Sequence, residues 1–273
     1  MRKTARFTFT ALTCLFLITL FVSAQVHPVV YSNKSLQGPY SFLENKWLSD
    51  YNDNATGSIG IMTFDGSGNL TLSMTMNTAN TVTTYTGTGT YSVAKEGSGS
   101  MSFTLSGGLN FTETMVLDSS GKGFQFVQTS CNGCGDTTDV STGTAVAMGA
   151  SSFTNASLKG NYEWLTAKWA SEGGPNAEVE LGTMIFDGKG NVKGSSTDDY
   201  AGTVSSLTFT GTYTVNSDGS GSMTLTANGT YITTDAFVIN TASSTGLGAK
   251  GLQLLNTYTP GTSGVRCGTA TKQ

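Results

Sequence analysis

Along most of the chain apolar and polar residues alternate with a period of two, and short clusters of Gly, Asn, Asp and Ser interrupt the alternation. That period marks strands with one buried face, and the interruptions are turn chemistry. In the first half the pattern predicts strands near residues 38–48, 56–65, 69–77, 82–94, 99–106, 110–118, 123–130 and 139–148. The joining turns, among them DGSGN, KEGSG and SGGLN, are too short for the crossover that parallel neighbours need, so an antiparallel meander is expected. Gly60, Met62 and Phe64 share a face, as do Tyr91 with Val93, Met101 with Phe103 and Leu105, and Phe124 with Phe126; the opposite faces are mostly Thr and Ser. A meander with one apolar face closes most economically into a barrel, which leaves no open edge. A two-sheet β-sandwich is the alternative.

The second half repeats the first. SLQGPYSF (Ser35–Phe42) returns as SLKGNYEW (Ser157–Trp164), GIMTFDGSGNL (Gly60–Leu70) as GTMIFDGKGNV (Gly182–Val192), and GTYSVAKEGSGSM (Gly89–Met101) as GTYTVNSDGSGSM (Gly211–Met223). Ser157 against Ser35, Asp187 against Asp65 and Tyr213 against Tyr91 all stand 122 positions apart. Register held without a gap over such a span marks a duplication, and each copy is long enough to build its own core. The expected fold class is therefore all-β, two tandem antiparallel eight-stranded meander barrels. The expected organisation is a leader at 1–24, a first barrel domain at 35–149, a linker at 150–156 and a second barrel domain at 157–273.

Arg2, Lys3 and Arg6 precede an apolar run from Ala11 to Val22, and Val22-Ser23-Ala24 offers a cleavage site after Ala24. This is the layout of a secretory signal peptide, with an apolar run too short to span a bilayer, and it predicts a secreted or periplasmic protein. The leader holds 3 of the 14 basic residues and none of the 18 acidic ones, so the remaining chain carries a formal charge of −7. That balance argues against nucleic acid or an anionic membrane surface as a partner, and no membrane span is predicted. Beyond the leader stand Cys131, Cys134 and Cys267, an odd number that leaves one thiol free or paired between chains. CNGC has redox-motif spacing, but it lies in a Gly- and Asp-rich loop with no helix behind it to lower a thiol pKa, so a structural Cys131–Cys134 disulfide is expected. The single histidine, His27, lies near the leader, and neither a metal site nor a cofactor is predicted.

FDGSGN alternates oxygen-bearing Asp65, Ser67 and Asn69 like the opening of a calcium loop, and Asp187, Lys189 and Asn191 take those places in the second copy. The sixth position is Leu70 or Val192 where a calcium loop needs Gly, and Lys189 sets a cation where a ligand would sit, so a hairpin turn is expected. Glu113 and Asp235, again 122 apart, fall by strand parity on the apolar face beside Phe111 and Met115, and beside Phe237 and Ile239. A carboxylate there is costly unless paired, by Lys46 or Lys168 for example, and could otherwise orient a ligand. Trp47 and Trp169, near strand ends, and Tyr91 and Tyr213, on the apolar face, complete the candidate ligand-binding set.

Gly38-x-Tyr40 and Gly160-x-Tyr162, the FDGxGN turn, GTYxV and a closing GTA are shared by the two copies. The pattern resembles uncharacterised secreted bacterial tandem-repeat β-barrel proteins and, more distantly, lipocalin-like barrels, in particular allene oxide cyclase barrel-like domains. The resemblance implies a small eight-stranded barrel with an internal cavity for an apolar ligand, or cyclase or isomerase chemistry in such a cavity. No residue is assigned a catalytic role. The expectation is an exported, non-enzymatic binding or structural protein whose partner is a small apolar ligand or an extracellular polymer; a barrel enzyme is the alternative.

Overall fold

The computed structural model describes residues 29–47, 55–133, 140–149, 152–169, 177–240, 251–259 and 264–273. The predicted leader and Cys134 lie outside the described residues. Strands β1 (Gln37–Trp47), β2 (Thr56–Asp65), β3 (Asn69–Thr78), β4 (Thr81–Val93), β5 (Ser98–Leu105), β6 (Asn110–Leu117), β7 (Gly123–Asn132) and β8 (Val140–Ala147) form one antiparallel sheet in sequence order. The sheet closes where β8 pairs with β1, setting Ala145 opposite Phe42. The second sheet repeats this with β9 (Lys159–Trp169), β10 (Glu178–Asp187), β11 (Asn191–Tyr200), β12 (Thr203–Val215), β13 (Ser220–Ala227), β14 (Tyr231–Asn240), β15 (Gly251–Tyr258) and β16 (Val265–Lys272), and closes through β16 on β9. Both are closed barrels, which rules out the sandwich. Among the described residues there is no α-helix, only 3-10 turns at Asn33–Ser35 and Asn155–Ser157.

Each barrel has one sealed end, and the repeated motifs build it. Tyr40, Phe64 and Tyr91 meet edge to face, with ring centroids 5.4 and 4.9 Å apart, and Tyr162, Phe186 and Tyr213 do the same at 5.2 and 5.1 Å. The Tyr91 hydroxyl donates to the carbonyls of Asn33 and Leu36 at 2.9 and 3.0 Å, and Tyr213 does so to Asn155 and Leu158 at 3.0 and 2.9 Å. The 3-10 turns are thereby tied across this end, with Leu36 and Leu158 fully buried behind them. FDGSGN is the adjoining turn from β2 to β3. Gly66 and Gly68 take φ of 77° and 118°, a region closed to most side chains. Asp65 Oδ1 accepts from the backbone N–H of Ser67, Gly68 and Asn69 at 2.7, 2.9 and 3.0 Å, and its Oδ2 from Asn69 Nδ2 at 2.6 Å. These donors hold the Asp65 carboxyl down at about 2, and the matching turn does the same for Asp187. The carboxylate is used by its own turn.

One outward-facing surface departs from the expected Thr and Ser. Leu43 on β1 and Ile59 and Ile61 on β2 point away from the first barrel's interior yet are buried, in a single apolar cluster with Val238, Leu255, Val265 and Cys267 of β14–β16. The barrels pack together here. Asn77 on β3, fully buried, donates to the Asn256 carbonyl at 2.6 Å, and Gln253 reaches the Thr144 carbonyl at 3.4 Å. Burying an aliphatic side chain is worth about 1.5–3 kcal/mol against about 0.5–1.5 for a net hydrogen bond, so the apolar cluster dominates this contact. Gly57 makes the approach possible: a Cβ there would lie 2.5 Å from Cys267 Sγ and 2.9 Å from Val265 Cγ1.

Candidate ligand site at the mouth of the first barrel

The parity that turns Tyr40 and Phe42 inward carries on along β1 to Glu44 and Lys46, at the end of the barrel away from the sealed tyrosines. A cavity of about 230 Å³ opens there, walled on its polar side by Glu44, Ser58, Gln128 and Ser141 and on its apolar side by Met76 and Phe111. Register explains the grouping: Glu44 lies opposite Ser58 on β2, and Lys46 opposite Ser141 on β8. Glu44 is buried and accepts a short hydrogen bond from the Ser141 hydroxyl. Burial raises its pKa, while that hydroxyl and the Lys46 charge pull the other way.

Glu113 lies one step deeper. It faces inward from β6 between Met101 on β5 and the cavity-lining Gln128 on β7. Its relative exposure is 0%, and neither carboxyl oxygen has a hydrogen-bond partner among the described residues. Desolvation, and then the nearby charge of Glu44, hold it well above the usual carboxylate range, so the neutral acid is the favoured form. The register between β6 and β7 shifts at this point: Thr112 pairs with Ser130 but Glu113 with Gln128, leaving Thr129 as the extra residue of a β-bulge whose hydroxyl donates to the Thr112 carbonyl at 3.0 Å. The bulge lets both flanking pairs keep their faces, so the expected inward parity of Glu113 survives it.

The second barrel carries the same bulge, between Thr234 and Asp235, with Thr257 as the extra residue. Its interior is resolved differently. Arg266 Nη1 lies 2.7 Å from Glu180 and 3.4 Å from Glu178, and Nη2 lies 3.7 Å from Asp235. Lys168 pairs with Glu178 at 3.1 Å and sits 5.3 Å over the Tyr200 ring. Ser196 donates to Glu180 at 2.6 Å, and Asn256 to Asp235 at 3.2 Å. Burial still raises the pKa of Glu180 and Asp235, but Arg266 opposes it at both. Asp235 is therefore answered by Arg266 and Asn256, not by the anticipated Lys168. Its counterpart Glu113 is not answered at all among the described residues.

Of the candidate residues, Glu113 lies beneath the cavity of the first barrel, next to its lining residue Gln128, and Asp235 in the ion-paired mouth of the second. Tyr91 and Tyr213 lie at the sealed ends, away from both, with their hydroxyls committed to backbone carbonyls. Trp47 and Trp169 end β1 and β9 on the mouth side, and only their backbone is described. Cys131, beside the mouth, is disulfide-bonded, and Cys267 is a buried free thiol between the barrels. Sequence reasoning missed Glu44, Ser141, Glu178, Glu180 and Arg266. The first four were within reach of the same parity rule.

The fold and mouth geometry define a tandem pair of closed eight-stranded barrels with polar interiors at one end. No family model matches the chain, and no curated protein matches it. Among solved structures it is similar to a protein of unknown function of the DUF3598 family from Nostoc punctiforme, at 9% identity and a TM-score of 0.26, over 88% of this chain and 97% of that one. A likeness at that score carries no functional argument.

Proposed function

We propose that the chain is an exported binding protein whose first barrel holds a small amphiphilic ligand and whose second barrel is its scaffold. The observation that carries this reading is the cavity of about 230 Å³ set above a buried, unpartnered Glu113 carboxyl. Buried polar groups are ordinarily paired, and the exceptions call for a bound species or a chemical role. At about 30 Å³ for each water-sized group the space takes roughly eight, short of a drug-sized pocket, so the ligand is small. Its wall is mixed rather than apolar, which shifts the expected ligand from an apolar molecule to one with a polar end. Export is supported by the leader-like first 24 residues and by the Cys131 disulfide, which suits an oxidising compartment.

A second reading, a cyclase or isomerase in keeping with the allene oxide cyclase-like resemblance, draws on the neutral Glu113 acid beside Glu44, a pair suited to proton transfer. Mass spectrometry of the protein taken from its native compartment, native and then denatured, tests both. A retained small molecule is expected from wild type and is lost from Ser58→Phe, which fills the cavity. Turnover of that molecule by wild type but not by Glu113→Gln would favour the enzyme. Recovery of the wild-type protein empty, with no small molecule restoring a mass shift, would remove the binding reading.

A further inference from the structure

The two barrels can be superposed residue by residue through their register, and the comparison identifies what is missing from the first. Arg266 lies opposite Lys168 on β9, and Ser141 lies opposite Lys46 on β1. The two lysines are 122 positions apart, so Ser141 holds the place of Arg266. Glu113 likewise holds the place of Asp235. In the second barrel the guanidinium fills the mouth and reaches Asp235 at 3.7 Å. In the first barrel the side chain at that place is cut back to a hydroxymethyl, the cavity of about 230 Å³ borders it, and the carboxyl it would have faced has no partner. The unmet acceptor lies one step beneath the space, paired across the sheet with the cavity-lining Gln128.

Resting on the ligand-binding reading above, we propose that the first barrel binds an organic cation, a guanidinium or primary ammonium on a short apolar chain, occupying the place that Arg266 fills in the second. The cationic head sits beside Ser141 with Glu44 and Glu113 as its acceptors, and the chain lies along Met76 and Phe111. Lys46 shares the mouth. Glu113 keeps its proton in the empty barrel, and the bound cation takes that proton's place, the proton leaving to solvent, so that both carboxyls face the ligand as carboxylates. A planar guanidinium forks across two carboxylates as Arg266 does across Glu180 and Asp235, so it should outrank an ammonium.

The test is calorimetric titration of the full chain with n-butylguanidinium, its neutral isostere n-butylurea, and pentanoate. One-to-one binding of n-butylguanidinium is expected, tighter than n-butylurea by about tenfold or more. Ser141→Arg should abolish it, the introduced guanidinium taking the site. Glu113→Gln, which keeps the shape of the side chain, should erase the preference for the cation while n-butylurea binding persists. Tighter binding of n-butylurea or pentanoate by wild type would overturn the cation and leave the ligand-binding reading standing. Binding of none of the three would count against both. Unchanged cation binding by a folded Ser141→Arg would place the cation elsewhere and overturn the assignment.

Discussion

At their sealed ends the two barrels are nearly the same object: Tyr40 and Tyr162, Phe64 and Phe186, Tyr91 and Tyr213, and a 3-10 turn tied to the last of these. At their mouths they diverge. Glu44, Ser58, Met76 and Ser141 in the first barrel face the same positions as Thr166, Glu180, Asp198 and Arg266 in the second. The duplication has held constant what closes the barrel and varied what fills it. The second barrel compensates its acids internally, and the first leaves one acid uncompensated beside open space. Where the same backbone supports both solutions, the empty one is the place to look for a ligand.

Substitutions at four positions probe that contrast. The largest effect is expected from Arg266→Leu, which strips the shared counter-charge from Glu178, Glu180 and Asp235. Leaving buried charges unpaired costs about 3–5 kcal/mol, read as a lower urea midpoint at neutral pH. A loss near zero would mean that Lys168 and Asn256 suffice, and the two mouths would differ less than the geometry says.

In the first barrel the opposite sign is expected. Glu113→Leu replaces an unpartnered acid with an apolar side chain and should stabilise the ligand-free protein by about 1–3 kcal/mol in the same assay. The pH dependence follows from the direction of the Glu113 shift. Unfolded, the carboxyl loses its proton near about 4.3; folded, it keeps it well above that range. Between those two values the unfolded state binds fewer protons, so stability is fully present below the unfolded pKa and falls as pH rises toward the folded one. Wild type should therefore lose stability relative to Glu113→Gln as pH rises above the ordinary glutamate range of about 4.3. Parallel curves would mean that Glu113 is paired after all.

The smallest effect is expected where the barrels agree. Asp65→Ala and Asp187→Ala should each lower the melting temperature slightly and by similar amounts, since both carboxylates serve only their turns. Their shift has the opposite sense, held down to about 2, so this contribution is present above the ordinary aspartate range and fades as pH falls toward that value. Calcium chelation should leave both melting curves where they are. Unequal losses from the two variants would show that one turn has a use the other lacks.

Strands, turns and closure were legible because one physical rule governs them: period-two alternation with a buried face, ended by residues that accept positive φ. Glu113 and Asp235 stood out under that rule as carboxyls at apolar positions. Extending it from Phe42 to Glu44, and from Gly182 back to Glu180, would have drawn in most of the mouth. Arg266 was harder to place, because the constant offset between the copies is lost by β15 and β16, and its partners become visible only through cross-strand register. The packing of barrel on barrel also had a signal, in the run SIGIMTF, which is apolar on both faces where a strand facing water on one side should not be.

That contact pairs β1–β3 of one copy with the strands of the other that correspond to β6–β8, so it joins unlike surfaces, as a hook joins an eye. Such a joint has no built-in stopping point, since each added copy would offer a fresh hook to the next. The free hook of this chain, around Leu165 and Leu181, is exposed. Yet Val179 stands where the close approach at Gly57 needs no side chain, and Asp199 stands where Asn77 donates its hydrogen bond. Side-chain replacement, rather than symmetry, blunts the hook of the second barrel, and restoring Gly and Asn at those positions is the change that would let a further copy dock on it.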